Sequence, residues 1–304
     1  MQLHEETKKR IDNLCRKEPR NVILYGPKGL GKRAQAMYLA GAWIGVEVEK
    51  LDIHPDFLLL EPQDGILRSE QAELIRHKAE FCPEKKAVCI VDGAELMTPE
   101  LQNKLLKVLE DAADLIAIIF VSAAPLLDTV MSRCVSVPFI PFSLNQLYVQ
   151  EESSTEHIAA IMASDGCPGI YDRIIAEKSM DQLLTGFLSE FLNLQDAEGS
   201  IKLLSLTHSL REKDREYLPE ALEGWQLTAF LCLCKHLYWI LNMRLNGLPG
   251  YEWFPEGKVQ NLYSKEKAEQ LYFAAAEAVE LSKRKGRFNK NDFFGLLIKM
   301  LPTR

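Results

Sequence analysis

Asn21-Val22-Ile23-Leu24-Tyr25-Gly26-Pro27-Lys28-Gly29-Leu30-Gly31-Lys32-Arg33 joins an apolar, β-branched run to a glycine-rich turn that opens into helix-forming sequence. From Gly26 onward it follows the phosphate-binding loop pattern G-x-x-x-x-G-K-[ST] at every position but the last. The pattern requires a strand before the turn and a helix after it, and both are written in the flanking residues. Gly26, Gly29 and Gly31 let backbone N–H groups converge on an anion at a helix N-terminus, with Lys28 in the same turn, and Lys32 can reach the outer phosphates of a nucleotide. Arg33 stands where working loops carry a Ser or Thr whose hydroxyl ligates Mg²⁺. The frame is that of a nucleotide hydrolase with a cation in place of a metal ligand.

Outward from this loop, short apolar runs alternate with helical periodicity through the first 140 or so residues. Strands are predicted at 21–25, 56–60, 87–91, 115–121 and 134–137, and helices at 32–44, 69–81, 98–111 and 125–131. Such alternation predicts an α/β fold with a five-stranded parallel sheet covered by helices on both faces. The helix at 98 has a capping Thr98, Pro99 in its first turn, and Leu101, Leu105 and Leu109 along one face. After Pro141 the pattern is helical. Leu227, Phe230, Leu231, Cys234, Leu237, Tyr238, Leu241 and Leu245 repeat at helical spacing up to a break at Gly247-Leu248-Pro249-Gly250, with helices to follow near 264–285 and 289–301.

Val88-Cys89-Ile90-Val91-Asp92 is a Walker B pattern, four apolar residues and a carboxylate delivered to the edge of the sheet beside the phosphate loop. In hydrolysing relatives of this frame the next residue is usually the glutamate that polarises the attacking water, and here it is Gly93. Glu95 is expected to point to another part of the loop.

Composition bounds the remainder. Hydrophobic residues make up 47% of the 304 and charged residues 26%, ordinary for a chain that buries a full core in two or three domains. No apolar run approaches the ~18 to 20 residues that span a bilayer, and the first ten residues are polar, which predicts a cytoplasmic protein with no membrane partner. The seven cysteines are odd in number and lack C-x-x-C spacing, so buried free thiols are expected rather than disulfides. Cys232 and Cys234, two apart on a helix, are read as core. A net charge of −7 argues against a self-sufficient nucleic-acid binder. The basic runs Lys8-Lys9-Arg10 and Lys283-Arg284-Lys285-Gly286-Arg287 are read as solvated helix ends or loops rather than docking patches.

Asp92-Gly93-Ala94-Glu95-Leu96-Met97, then Gln102-Asn103-Lys104-Leu105-Leu106-Lys107-Val108-Leu109-Glu110-Asp111, then Ser132-Arg133-Cys134 resemble the bacterial clamp-loader branch of the AAA+ ATPases. That branch carries an N-x-L-L-K-x-L-E-[ED] helix after Walker B and an S-R-C triplet before the last strand. His54-Pro55-Asp56-Phe57 and Arg287-Phe288-Asn289 are similar to its delta-prime family. The resemblance is dense over about 20–143 and thin beyond. It implies an AAA+ domain at 1–142, a small helical lid at 143–180 and an all-α collar domain at 181–304 that holds a ring together.

The resemblance further implies a subunit of the DNA polymerase III clamp loader, which loads the sliding clamp on primed DNA with gamma/tau and delta subunits as partners. Arg133 matches the arginine that reaches the phosphates bound by a neighbouring subunit. The delta-prime family typically does not turn over ATP, and Arg33, Gly93 and Gly169, the last in place of a lid arginine, agree. No cofactor is required on this reading, and Gly26, Lys28, Gly29, Gly31, Lys32, Arg33 and Asp92 form a vestigial ATP or phosphate site.

Two departures from the family stand out. Residues 41–56 lack the cysteines of the zinc module that many relatives carry, so no zinc is expected. The chain also starts only 25 residues before the loop, so a short or absent adenine-packing segment is expected. The alternative functional reading is an active gamma/tau-like ATPase in which Asp92 alone holds the metal. A P-loop protein outside replication would need the helix at 98–111 and the S-R-C triplet to be coincidences. At residue level the plain alternatives are that Lys32 is a solvated lysine, Arg133 a structural ion-pair arginine, and Lys104 and Lys107 a solvated helix face rather than one turned to DNA in the ring's channel.

Overall fold

Five short runs rich in Val, Ile, Leu and Phe form one sheet: β1 (Asn21–Tyr25), β2 (Phe57–Leu60), β3 (Ala87–Asp92), β4 (Ile116–Ser122) and β5 (Val135–Pro138), in the order β2-β3-β4-β1-β5. The computed structural model describes residues 3–80, 86–111, 116–148, 154–193, 224–255 and 262–283. Every strand pair is parallel, with Leu60 opposite Val91, Val91 opposite Phe120, Ile23 opposite Phe120 and Leu24 opposite Val137. Helix α1 (Glu5–Lys17) leads into β1; parallel neighbours need crossovers, and α2 (Lys32–Ile44), α3 (Glu70–Glu80), α4 (Pro99–Asp111) and α5 (Asp128–Met131) supply them. The chain divides into two compact units, Met1–Pro141 and Phe142–Arg304.

Side-chain alternation splits the first unit's core in two. Ile23, Cys89, Val91, Ile116, Ile118 and Phe120 pack with Ile75 of α3, Leu101, Leu105 and Leu109 of α4 and Val130 of α5. The intervening Val22, Leu24, Val88, Ile90 and Ile119 are fully buried on the opposite face. There α2 contacts β1, β3 and β4, and its Ala36, Leu39, Ala40 and Trp43 are buried. The Trp43 indole donates to the Leu14 carbonyl at 3.2 Å, tying α2 to α1.

Each strand lies within one residue of its expected bounds. The helix expected at 125–131 is shorter: it begins at Asp128, after an extended Leu127 (φ −57°, ψ 142°), and Leu126 before it is buried in the α4-side cluster. Helix α1 was not among the helices read from the sequence; its buried Thr7, Ile11 and Leu14 recur at helical spacing among charged neighbours.

In the second unit, α6 (Leu144–Leu147), α7 (Thr155–Ser164), α8 (Pro168–Ala176), α9 (Lys178–Leu192), α10 (Trp225–Leu245) and α11 (Lys265–Lys283) share one apolar cluster. The stripe read along α10 understates its burial. Ala229 to Cys234 are consecutively buried, because α7, α9 and α11 all pack against this helix. Cys232 and Cys234 lie in this core, and burial pushes the Cys232 thiol up to about 12. The core runs across residue 180, with Ile158 and Ile174 before it and Leu184, Phe187 and Phe230 after it in the same cluster. The helix expected near 289–301 and the residues Arg287-Phe288-Asn289 lie outside the described residues.

A polar cluster reinforces the same continuity. Asp165, in left-handed conformation at the end of α7 (φ 49°), accepts from His236 Nε2 at 2.9 Å and from the Lys235 ammonium. With Nε2 donating, His236 Nδ1 accepts from the Tyr251 hydroxyl at 3.2 Å. Burial alone would raise the Asp165 carboxyl, but the His236 hydrogen bond and the Lys235 charge outweigh it and hold the group below its ordinary range. Burial pushes the His236 imidazole below its ordinary value, against the pull of Asp165. The unfolded chain takes up protons at His below about pH 6.5 and at Asp below about pH 4, while in the fold both groups stay deprotonated to lower pH. The unfolded state then binds more protons, so stability is present near pH 7 and is lost as pH falls through 6 and below. Urea midpoints taken between pH 7 and 5 should fall, and His236→Gln should flatten that slope. A wild-type slope that His236→Gln leaves intact contradicts this assignment.

Candidate functional site

The turn between β1 and α2 has the backbone its glycines allow. Gly26, Gly29 and Gly31 have φ of 142°, 82° and 76°. A Cβ on Gly26 would sit 2.1 Å from the Phe139 carbonyl oxygen, so the start of the loop admits no side chain. Lys28 is exposed at the tip of the turn. Lys32 is buried at the first residue of α2, and its ammonium donates to the Gly26 and Pro27 carbonyls at 2.6 Å each. It is therefore not a solvated helix-start lysine.

Arg33 points across the carboxyl edge of the sheet. Its Nη1 donates to Asp92 Oδ2 at 2.9 Å and also to the Glu61 carboxylate. The Glu61 bond, reinforced by the Asp92 charge, raises the guanidinium value further above its ordinary one. The frame implies Mg²⁺, which demands near-octahedral oxygen ligands at about 2.1 Å. The residues present do not fit it: the hydroxyl position is a guanidinium, and the Walker B carboxylate is already that guanidinium's acceptor.

Gly93 takes a left-handed conformation (φ 70°), and a Cβ there would meet Pro62 Cγ at 3.0 Å. A catalytic glutamate at this position would need a strained backbone as well as a moved neighbour. Glu95 accepts from the Ala123 N–H at 2.9 Å, fixing the turn after β4.

Arg133 sits at the other edge of the sheet. Its carbonyl accepts from the side chain of Asn21, the first residue of β1, whereas the phosphate loop follows the last. The five-residue strand separates the two edges by roughly 13 to 16 Å at 3.3 Å per residue. The guanidinium donates through Nε to Glu110 Oε1 at 2.8 Å, through Nη2 to the same oxygen, and through Nη1 to the Thr129 carbonyl at 2.9 Å. The structural ion pair named as the plain alternative is thus present. Its side chain remains more than a third exposed. The structure brings Gly26, Gly29, Gly31, Lys32, Arg33 and Asp92 together and keeps Arg133 apart from them.

Glu61 escaped the sequence reading. Its signal was register: it follows the last residue of β2, where parallel pairing of Leu60 with Val91 sets it beside Asp92. Glu110 was quoted within the α4 motif without a role, and it holds Arg133. Among the described residues no group of three or more His, Cys, Asp or Glu is placed to hold a metal ion, and no helix is long and apolar enough to cross a membrane.

Residues 4–143 match the sequence model of the family described as DNA polymerase III, delta subunit. A DNA polymerase III subunit delta' of Bacillus subtilis is 29% identical over 163 residues, covering 47% of this chain and 49% of that protein. The subunit delta' of Pseudomonas aeruginosa is 29% identical over 134 residues, covering 37% of this chain and 40% of that protein. The chain therefore spans half or less of the length of these curated relatives. A solved DNA polymerase III gamma subunit-related protein from Thermotoga maritima superimposes with a TM-score of 0.46 at 13% identity, covering 97% of this chain and 98% of that one.

Proposed function

We propose, for a chain that is delta-prime-like over residues 4–143, that it serves as a non-hydrolysing subunit of a bacterial clamp loader of DNA polymerase III. In that role it assembles with gamma/tau and delta subunits, supports ATP-driven loading of the sliding clamp onto primed DNA, and offers Arg133 to the nucleotide of a neighbouring subunit. The observation that carries the non-hydrolysing part is the Arg33–Asp92 pair. It consumes the carboxylate that would hold Mg²⁺, and phosphoryl transfer depends on metal placement and water positioning for most of its rate. Gly93 removes the water-positioning side chain, and its left-handed backbone disfavours restoring one.

The position of Arg133 supports action in trans. An arginine across the full width of the sheet from its own phosphate loop lies beyond side-chain reach of it, yet it is exposed enough to meet another subunit. The contact with Glu110 pre-orients the guanidinium along the end of α4. The reading requires no cofactor in this chain. Lys32 and the loop amides remain a vestigial anion site, and the division of the second unit into a lid at 143–180 and a collar at 181–304 is part of the same proposal.

The purified chain should show no ATPase above background, with or without primed DNA. Turnover at ~1 s⁻¹, lost in Lys32→Ala, is the result of a working gamma/tau-like enzyme and would overturn the non-hydrolysing assignment.

A further inference from the structure

Glu61 and Asp92 lie side by side because β2 and β3 run in register, Leu60 opposite Val91, and each residue is the next one on toward the carboxyl edge of the sheet. Both carboxylates accept from the same nitrogen, Nη1 of Arg33, Asp92 Oδ2 at 2.9 Å. Two anionic oxygens converging on one point is how a hard cation is held, and here the held cation is a side chain. Arg33 reaches that point from the second residue of α2, one position after the lysine of the phosphate loop. We propose that Arg33 is the built-in cation of this site: it takes the place of a divalent metal, keeps Glu61 and Asp92 from recruiting one, and its removal turns the pair into a divalent-cation site.

The physical reason is charge at contact distance. A guanidinium cannot be deprotonated in a protein, so it neutralises one of the two carboxylates at every working pH. A divalent ion approaching the same oxygens meets a fixed like charge within hydrogen-bond reach. Arg33 also bonds both carboxylates without the octahedral oxygen shell that Mg²⁺ demands, so the side-chain cation holds the pair with no further ligands. The arginine is thus more than a lost hydroxyl, since it carries the charge of the missing metal. The inference rests on reading residues 26–33 as a phosphate loop, but not on membership of a clamp loader, and its test is made on the isolated full-length chain.

Mn²⁺ serves as the probe, its free concentration followed by electron paramagnetic resonance, with thermal midpoints in the presence and absence of Mg²⁺ as a second readout. Wild type and Arg33→Lys should bind Mn²⁺ no better than scattered surface carboxylates do. Arg33→Thr and Arg33→Gln should each gain one site about tenfold tighter or better, and Mg²⁺ should raise their thermal midpoints. Arg33 is exposed, so neither change threatens the core. The gained site should vanish in Arg33→Thr/Asp92→Asn and weaken in Arg33→Thr/Glu61→Gln. Two results overturn the proposal: a wild-type Mn²⁺ site that Asp92→Asn abolishes, or the absence of any gained site in both Arg33→Thr and Arg33→Gln.

Discussion

Arg133→Ala in a reconstituted clamp loader is expected to leave the complex at wild-type yield while DNA-stimulated ATPase falls in part and clamp loading falls much further. The expectation follows from where the residue sits. Arg133 lies at the amino edge of the sheet, bonded to Glu110 and the Thr129 carbonyl, with nothing from its own phosphate loop in reach. If its guanidinium meets a neighbour's γ-phosphate, it stabilises charge that develops during transfer, an effect on the order of 10³ to 10⁵ in rate at the site it serves. Hydrolysis summed over several sites then drops only by that site's share. Loading, which needs the sites to act together, suffers more.

Glu110→Gln separates the two roles of the arginine. It removes the paired charge, an exposed contact worth roughly 1 kcal/mol or less, and so should leave stability nearly unchanged. It should nevertheless lower loading by releasing the guanidinium. Unchanged loading in Arg133→Ala removes the residue from the mechanism, and failed assembly makes it structural.

The second large effect is on stability. Phe230 is fully buried in α10, 4.8 Å centroid to centroid from Phe187 in an edge-to-face pair. Phe230→Ala leaves a cavity in the cluster that joins the helices on both sides of residue 180, and should cost about 3 to 5 kcal/mol. The urea midpoint of the second unit should drop accordingly while the first unit's transition stays in place, and the variant should enter a loader poorly. A midpoint unchanged within error would mean that α10 is not the centre of that core. For the same reason the informative truncation is after Pro141. A cut at 180 would strip Ile158, Ile174 and their neighbours of the surfaces that bury them.

The sheet was legible because its residues obey a local rule. Buried parallel strands read as continuous apolar runs, and β3 from Ala87 to Val91 and β4 from Ile116 to Val121 are such runs. The loop was legible because glycine at Gly26, Gly29 and Gly31 answers a backbone demand that few other residues can meet. Less could be read where contacts are made at a distance. Glu61 and Asp92 are separated by 30 intervening residues and meet only through strand register, so the second acceptor of Arg33 was invisible in the chain. The wrapping of α10 was hidden too, because one apolar stripe does not reveal how many helices surround it. Nothing local to Asp165 signals its partners Lys235 and His236, which lie 70 and 71 residues away.

The central claim, a clamp-loader subunit that does not hydrolyse ATP, is tested most directly by co-expressing the full chain with the gamma or tau and delta subunits of its own organism. The material is then passed over a sizing column, and clamp loading is assayed with and without the chain. The account predicts that the chain elutes in a stoichiometric complex whose loading activity requires it and survives Lys32→Ala in this subunit alone. A chain that elutes by itself, with loading equally fast in its absence, contradicts it.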